Sequence, residues 1–113
     1  MSRLAAAAQH FVDAYHARGP LVDEQRGWRC AIALVTTDGD AVTVHIDDGR
    51  ITEIVPKADG ADVVITAAAA TLTDILELRR SPNEPYIFGE LTVRGPEADF
   101  LRLDYLATRL CPW

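Results

Sequence analysis

The sequence predicts one α+β domain over residues 1–113, built as a five-stranded, mostly antiparallel sheet with helices over one face. Its 113 residues are the usual length of a single domain. Apolar residues recur at helical spacing near both ends, whereas the middle of the chain alternates with the period of two that strands show. Asp-Gly pairs separate the alternating runs, and such pairs are typical of tight hairpin turns. This order of elements favours a sheet covered by helices.

The helical spacing predicts three helices. They are expected over residues 2–18, 68–80 and 96–110. Ser2 is the predicted N-cap of the first helix, and Gly19-Pro20 is predicted to end it before a polar connector over residues 21–27. Pro82 closes off the second helix, and Pro96 stands at the start of the third, where a missing N–H costs nothing.

The alternating runs predict five strands. They are expected over residues 28–35, 42–47, 50–57, 61–66 and 86–94. With Asp48-Gly49 as a two-residue turn, Asp47 would face Arg50 and Val44 would face Glu53. This register places Glu53 on the covered, apolar side of the sheet. There it has two interpretations: the one polar anchor of an apolar pocket, or an inward charge that protects an edge strand from aggregation.

Charge and cysteine usage narrow the classes of function. Seventeen acidic against eleven basic residues give a net charge of −6, which repels phosphate backbones and argues against a nucleic-acid partner. Neither a membrane span nor a signal-peptide core is visible, so we expect a cytoplasmic protein, and the arginine and alanine usage suggests a bacterial source.

Cys30 and Cys111 match no metal or redox spacing; two free thiols are favoured, with a disulfide left open. The histidines at 10, 16 and 45 form no metal signature, and no cofactor is expected.

The second half of the chain resembles a known family. From Ala61, the stretch ADVVITAAAATLTDILELRRSPNEPYIFGELTVRG is similar to the core of the sterol carrier protein family, in which an "aDvtit" strand precedes a helix and a "GkLkvrGd" strand. The matching residues are Asp62, Val63, Ile65, Thr66, Leu72, Leu76, Gly89, Leu91, Val93 and Gly95. The resemblance covers roughly residues 28–110. It implies a sterol carrier protein-like sheet and helices that enclose an apolar tunnel for sterols, fatty acids or acyl-CoA esters.

The resemblance also implies a site and leaves alternatives open. The residues expected to bind an apolar small-molecule ligand are Phe11, Tyr15, Trp28, Ile32, Leu34, Glu53, Phe88, Leu91, Phe100 and Leu103. The same aromatic and aliphatic residues could simply fill a core. With no family-like helix after residue 110, Trp113 or a second subunit would have to close the tunnel. One alternative is an enzyme or accessory cyclase subunit that uses Glu53, Tyr86 or His45 as acid or base. Another is a dimerisation module, and a homodimer would then bury the polar sheet face or the last helix.

Overall fold

The computed structural model describes residues 2–110, so the expectations for Cys111 and Trp113 lie outside the described residues. It contains five helices and five strands. In chain order they are α1 (Arg3–His16), α2 (Gly19–Glu24), β1 (Cys30–Thr36), β2 (Ala41–Asp47), β3 (Arg50–Val55), β4 (Val63–Ala67), α3 (Ala69–Leu76), α4 (Asn83–Ile87), β5 (Leu91–Arg94) and α5 (Glu97–Leu110). None of the helices within residues 2–110 is long and apolar enough to cross a membrane.

The strands form one five-stranded sheet in the order β3-β2-β1-β4-β5, which confirms the predicted α+β class. The neighbours β1–β2, β2–β3 and β4–β5 are antiparallel. The central pair β1–β4 is parallel, with Ile32 beside Val63 and Leu34 beside Ile65, so the sheet is mixed and not mostly antiparallel as predicted. Short turns join β1 to β2 and β2 to β3, whereas residues 68–90, with α3 and α4, separate β4 from β5. Because β4 is parallel to β1, the chain has to return along the sheet before β4 begins.

Helices α1, α3 and α5 cover one face of the sheet. Alternate strand residues such as Ile32 and Leu34 point into this layer and meet the apolar stripe of α1, including Phe11. Ser2 caps α1 as predicted, since its hydroxyl oxygen accepts the Ala5 N–H at 3.0 Å. The single apolar core therefore lies between the sheet and these helices.

The predicted register of the β2–β3 hairpin is correct at the turn and wrong further along. Asp47 faces Arg50 as expected, and Ile46 faces Ile51 in the same register. Beyond them an irregularity pairs His45 with Glu53, so Val44 faces Ile54 and not Glu53. This β-bulge inserts one extra residue into β3. As a result Ile51 and Ile54 both point toward the helices, and Glu53 lies exposed on the opposite face. Glu53 is thus not on the covered side of the sheet.

Two short helices replace segments for which the sequence predicted other structure. The polar connector over residues 21–27 contains most of α2, because Pro20 stands in its first turn, where proline is tolerated. The predicted strand over residues 86–94 is wrong in its first half. Residues 83–87 form α4, with Pro85 in its first turn, and Gly89 follows at φ 75°. The strand itself begins only at Leu91.

Helix α3 ends earlier than predicted. Its C-terminus has a Schellman geometry in which Leu78 takes the left-handed conformation (φ 62°). The N–H of Leu78 donates to the carbonyl of Ile75 at 3.1 Å, and that of Arg79 donates to Asp74 at 2.8 Å. These bonds satisfy carbonyls of the last turn, so the chain leaves the helix after Leu76 rather than at Arg80.

The segment between β3 and β4, residues 56–62, crosses the sheet on the face opposite the helices. It leaves the edge strand β3 and enters β4 on the far side of β1. Thr43 binds this segment through two hydrogen bonds. Its hydroxyl donates to the Lys57 carbonyl at 2.7 Å and accepts the Asp59 N–H at 3.0 Å. Asp62 then exchanges two bonds with the backbone of Ala31. We call residues 56–62 the crossing segment.

Candidate ligand site

Two small apolar cavities lie side by side between the sheet and the helices. Each has a volume of about 30 Å³, room for one or two water molecules. The first is lined by Phe11, Leu34, Ile65, Leu72, Ile75, Leu76, Pro82, Leu91, Phe100, Leu103, Asp104 and Ala107. The second is lined by Ala8, Phe11, Ile32, Leu34, Val44, Ile46, Ile51, Leu76, Leu103 and Leu106.

The same four side chains border both cavities. They are Phe11 from α1, Leu34 from β1, Leu76 from α3 and Leu103 from α5. We call these four residues, each from a different element, the partition between the two cavities. Leu103 is the only one of them that is not fully buried, which makes its side chain the freest to move.

Six of the ten predicted ligand-binding residues line the cavities. They are Phe11, Ile32, Leu34, Leu91, Phe100 and Leu103. The remaining four lie elsewhere. Tyr15 and Trp28 are buried but bonded to other parts of the chain. Glu53 is exposed on the far face of the sheet, and Phe88 is 72% exposed after α4.

Tyr15 and Trp28 join elements of the core. The hydroxyl of the fully buried Tyr15 donates to the carbonyl of Gly49 and thereby ties the end of α1 to the β2–β3 turn. The indole N–H of Trp28 donates to Asp99 Oδ1 at 3.0 Å, and the guanidinium of Arg102 lies 5.6 Å from the Trp28 ring centroid. Both aromatic residues therefore hold helices in place rather than line a cavity.

Helix α5 is attached by polar contacts along one side. Its side chains at positions 99, 102, 105 and 109 reach residues 24–28. The contacts join Asp99 Oδ1 to Trp28 Nε1 (3.0 Å), Arg102 Nη1 to Gln25 Oε1 (2.9 Å), the Tyr105 hydroxyl to Glu24 Oε2 (2.9 Å) and Arg109 Nη1 to Glu24 Oε1 (3.6 Å). The neighbouring side of the helix, with Phe100, Leu103 and Ala107, faces the first cavity. On this side the ring of Phe100 packs against that of Tyr86, with the ring centroids 4.9 Å apart and the planes tilted by 38°.

Asp104 also lies on the cavity side of α5 and was not among the predicted site residues. Its Oδ1 atom is buried, and no donor among residues 2–110 reaches it. Burial raises the pKa of this carboxyl above its usual value. The signal was present in the sequence, because Asp104 follows Leu103 within the stripe Phe100, Leu103, Ala107, a position where an apolar residue is expected.

The residues considered for acid–base chemistry do not meet. His45 and Glu53 are paired across β2 and β3, near one edge of the sheet. Tyr86 lies on α4, which packs beside β5 at the opposite edge of the sheet. The Tyr86 ring contacts the ring of Phe100 on α5. Within residues 2–110, no three His, Cys, Asp or Glu side chains come close enough together to hold a metal ion. Cys30 is a buried free thiol, and burial, with Asp99 and Asp62 nearby, raises its pKa to about 12.

Comparison with solved structures identifies the architecture. A crystal structure of sterol carrier protein 2 matches with a TM-score of 0.69 at 21% identity, covering 95% of each chain. The chain has the sterol carrier protein 2 fold. Palmitated SCP2L2 from Aedes aegypti matches this fold with a TM-score of 0.65 at 14% identity, over 88% of this chain and 92% of that one.

A third relative of the fold is UbiJ-SCP2, a ubiquinone synthesis protein. It matches with a TM-score of 0.60 at 19% identity, over 83% of this chain and 80% of that one. No protein-family model matches the sequence, and neither does any curated protein. The likeness therefore establishes the sterol carrier protein 2 fold, as the resemblance in the sequence implied, and the function has to be argued from the site.

Proposed function

We propose that the protein binds an apolar small molecule between its sheet and helices α1, α3 and α5. The observation that carries the proposal is the pair of adjacent apolar cavities, which share the partition Phe11, Leu34, Leu76 and Leu103. An interior lined almost wholly by hydrocarbon recognises a ligand by burying its apolar surface. One solved relative of this fold is named as palmitated and another as a ubiquinone synthesis protein, and both names are consistent with a hydrocarbon-rich ligand.

Binding on this scale requires the site to open. Ligand pockets usually measure about 300 Å³ or more, roughly ten times the volume of either cavity. Helix α5 is the element placed to move, since its polar contacts to residues 24–28 lie along one side and the cavity lies along the other. Rotation about the bonded side would withdraw Leu103 from the partition and join the cavities. Ligand entry would then be a population shift toward this open form.

Leu103 provides the test, because it borders both cavities. The Leu103→Trp variant should fill the space and weaken binding of a neutral fluorescent hydrocarbon probe at least tenfold. Leu103→Ala should join the cavities and strengthen binding, with some loss of stability. Leu101→Trp is the matched control, since Leu101 lies on the same helix but is 53% exposed, and its probe binding should stay unchanged.

The opposite directions of the two Leu103 variants keep the test informative even if one of them folds poorly. Urea unfolding of each variant shows whether the fold is retained. The proposal is refuted if neither the unmodified protein nor Leu103→Ala takes up the probe. It is equally refuted if Leu103→Trp and Leu101→Trp bind the probe alike.

A further inference from the structure

The two edges of the sheet differ in how far the protein itself covers them. At the β3 edge the Ile51 N–H donates to His16 Nε2 at 3.1 Å, and a bulge interrupts the strand. Such features keep an edge strand from pairing with another chain. At the other edge, within the part of the chain that the structure describes, the backbone of β5 (Leu91–Arg94) is hydrogen-bonded only to β4. One row of its N–H and C=O groups is therefore open to a further strand.

The open stretch is short and has a definite limit at each end. Before it, the Glu90 N–H donates to the Pro85 carbonyl of α4 at 2.8 Å. After it, the chain turns at Gly95 into Pro96, which has no N–H to offer. A strand that pairs here must therefore be about as short as β5 itself.

We propose that the β5 edge is a dimer interface, at which two copies of this chain pair their β5 strands antiparallel about Thr92. The two five-stranded sheets would then continue as one sheet across a two-fold axis. Such an interface is isologous, because the same surface of each copy meets the other. The proposal goes beyond ligand binding and does not depend on it.

The charge and polarity of the strand are complementary to themselves in this register. With Thr92 opposite Thr92 of the second copy, Glu90 faces Arg94 on each side of the axis, and Leu91 faces Val93. Opposite charges, aliphatic pairs and Thr–Thr pairs all stabilise neighbouring antiparallel strands. A register shifted by one residue would place Leu91 and Val93 opposite polar side chains instead. The sequence of this edge thus favours a second copy over an unrelated strand.

The two charged groups are available for this pairing. Arg94 forms no ion pair within residues 2–110, and its side chain is exposed. Glu90 contacts Arg80 Nη2 at 3.1 Å through Oε2, and its side chain is 47% exposed. An exposed ion pair of this kind is weak, so the Glu90 carboxylate can also accept from a second guanidinium.

The faces of the two sheets also match. Directly opposite residues of an antiparallel pair lie on the same face. Leu91 and Val93 are buried or half-buried on the helix side, whereas Glu90, Thr92 and Arg94 are exposed on the other side. The helices of both copies would therefore lie on one face of the joined sheet.

Exposed apolar side chains stand beside the same edge. Ile87 and Phe88, just before β5, are 67% and 72% exposed. In the proposed register Phe88 comes level with Pro96 of the second copy, at the end of its β5 strand. Pairing of the strands would therefore remove apolar surface from water, which adds to the attraction between the charged residues.

Sedimentation velocity of the full chain tests the proposal at concentrations from about 10 μM to 1 mM. We expect a reversible monomer–dimer equilibrium with a dissociation constant of roughly 10–100 μM, because one short strand buries less surface than a stable dimer requires. Arg94→Glu places like charges opposite each other at both ends of the interface and should weaken association at least tenfold. Glu90→Arg should do the same. Both positions are exposed, so we expect both variants to fold.

A mixture of the two variants provides the sharpest test. In a pair of one Arg94→Glu chain and one Glu90→Arg chain, a carboxylate again faces a guanidinium at both ends. The mixture should therefore associate about as tightly as the unmodified protein, although each variant alone does not. Arg3→Glu is the matched control, since it makes the same change of charge at an exposed position on α1 and should leave the dimer intact.

Hydrogen exchange locates the interface independently. The amides of residues 91–94 should exchange more slowly at high than at low concentration in the unmodified protein, and not in Arg94→Glu. Sedimentation as a monomer over the whole range would overturn the proposal. So would a dimer that Arg94→Glu and Arg3→Glu weaken equally, or one whose protected amides lie outside residues 91–94. Failure of the mixed variants to associate would show that the register about Thr92 is wrong.

Discussion

Replacing Tyr15 by phenylalanine tests how much one buried hydrogen bond stabilises this fold. Tyr15 is fully buried, and its hydroxyl donates to the carbonyl of Gly49, which is itself buried. Phenylalanine keeps the ring and its packing and removes only the donor. The change loses a net bond of about 1 kcal/mol and leaves the Gly49 carbonyl without its partner. We expect the free energy of unfolding to fall by about 1.5 kcal/mol.

The matched control is Tyr105→Phe, which removes the same atom from an exposed position. The Tyr105 hydroxyl donates to Glu24 at 2.9 Å and accepts from Arg109 at 2.6 Å, but all three side chains are exposed to solvent. Water replaces such contacts, so we expect a loss below about 0.5 kcal/mol. In urea unfolding with a slope of about 1.5 kcal/mol per molar, Tyr15→Phe should lower the midpoint by about 1 M. Equal midpoints for the two variants would show that burial of the Tyr15 hydroxyl has no energetic weight.

Three further predictions concern a glycine, a histidine and a cysteine. Gly95→Ala should lower the free energy of unfolding by about 3 kcal/mol. The reason is that Gly95 has φ 122° and a Cβ there would lie 2.3 Å from the Asp62 carbonyl oxygen. A loss below about 1 kcal/mol would contradict this reasoning. His16 accepts the Ile51 N–H at 3.1 Å, and burial lowers its pKa below the ordinary 6.5, so the unfolded chain takes up the proton first. The stability that neutral His16 contributes is present above pH 6.5 and is lost as the pH falls through the pKa of His16 in the folded protein. The difference in unfolding free energy between the protein and His16→Gln should therefore shrink between pH 7.5 and 5.5. The buried Cys30 thiol, with a pKa of about 12, should be modified by a thiol reagent at pH 8 far more slowly in the native protein than in urea, as mass spectrometry of its peptide would show.

The alternation of the sequence predicted the central strands, but it could not show the bulge in β3. A strict period of two places Ile51, Glu53 and Val55 on one face. The bulge places Ile51 and Ile54 inward instead and releases the Glu53 carboxylate to solvent. The gain is that the half-buried Ile54, rather than the Glu53 carboxylate, faces the helices, and this gain depends on what packs above the sheet. Local periodicity contains no such information.

Helix α4 shows the opposite case: the alternating pattern predicted a strand, although two prolines nearby argued against it. The period of two was read over residues 86–94, yet prolines at positions 82 and 85 remove backbone donors just before this stretch. Proline is tolerated in the first turn of a helix, and the chain adopts that structure. The exposure of Phe88 follows, since the end of a five-residue helix has little to pack against.

The apolar part of the candidate site could be predicted because the residues that line a cavity are the residues that form a core. Phe11, Leu34 and Leu103 stand at the helical or strand spacing of core residues, and the family resemblance made them candidates for the site. Asp104 was not, because a single aspartate in an apolar stripe is normally assumed to point to water. Only the three-dimensional arrangement shows that its Oδ1 atom is buried and has no partner among residues 2–110.

The crossing segment, residues 56–62, has a consequence for how this protein behaves at high concentration. The face of the sheet opposite the helices carries small side chains such as Ala33, and a bare face of this kind could stack on another copy. Ala33 and its cross-strand neighbour Thr43 are only 1% and 0% exposed, however, and the crossing segment is bonded to Thr43. The crossing segment thus covers this part of the sheet face with the protein's own backbone. A stacked assembly through this face would first have to break both bonds to the Thr43 hydroxyl.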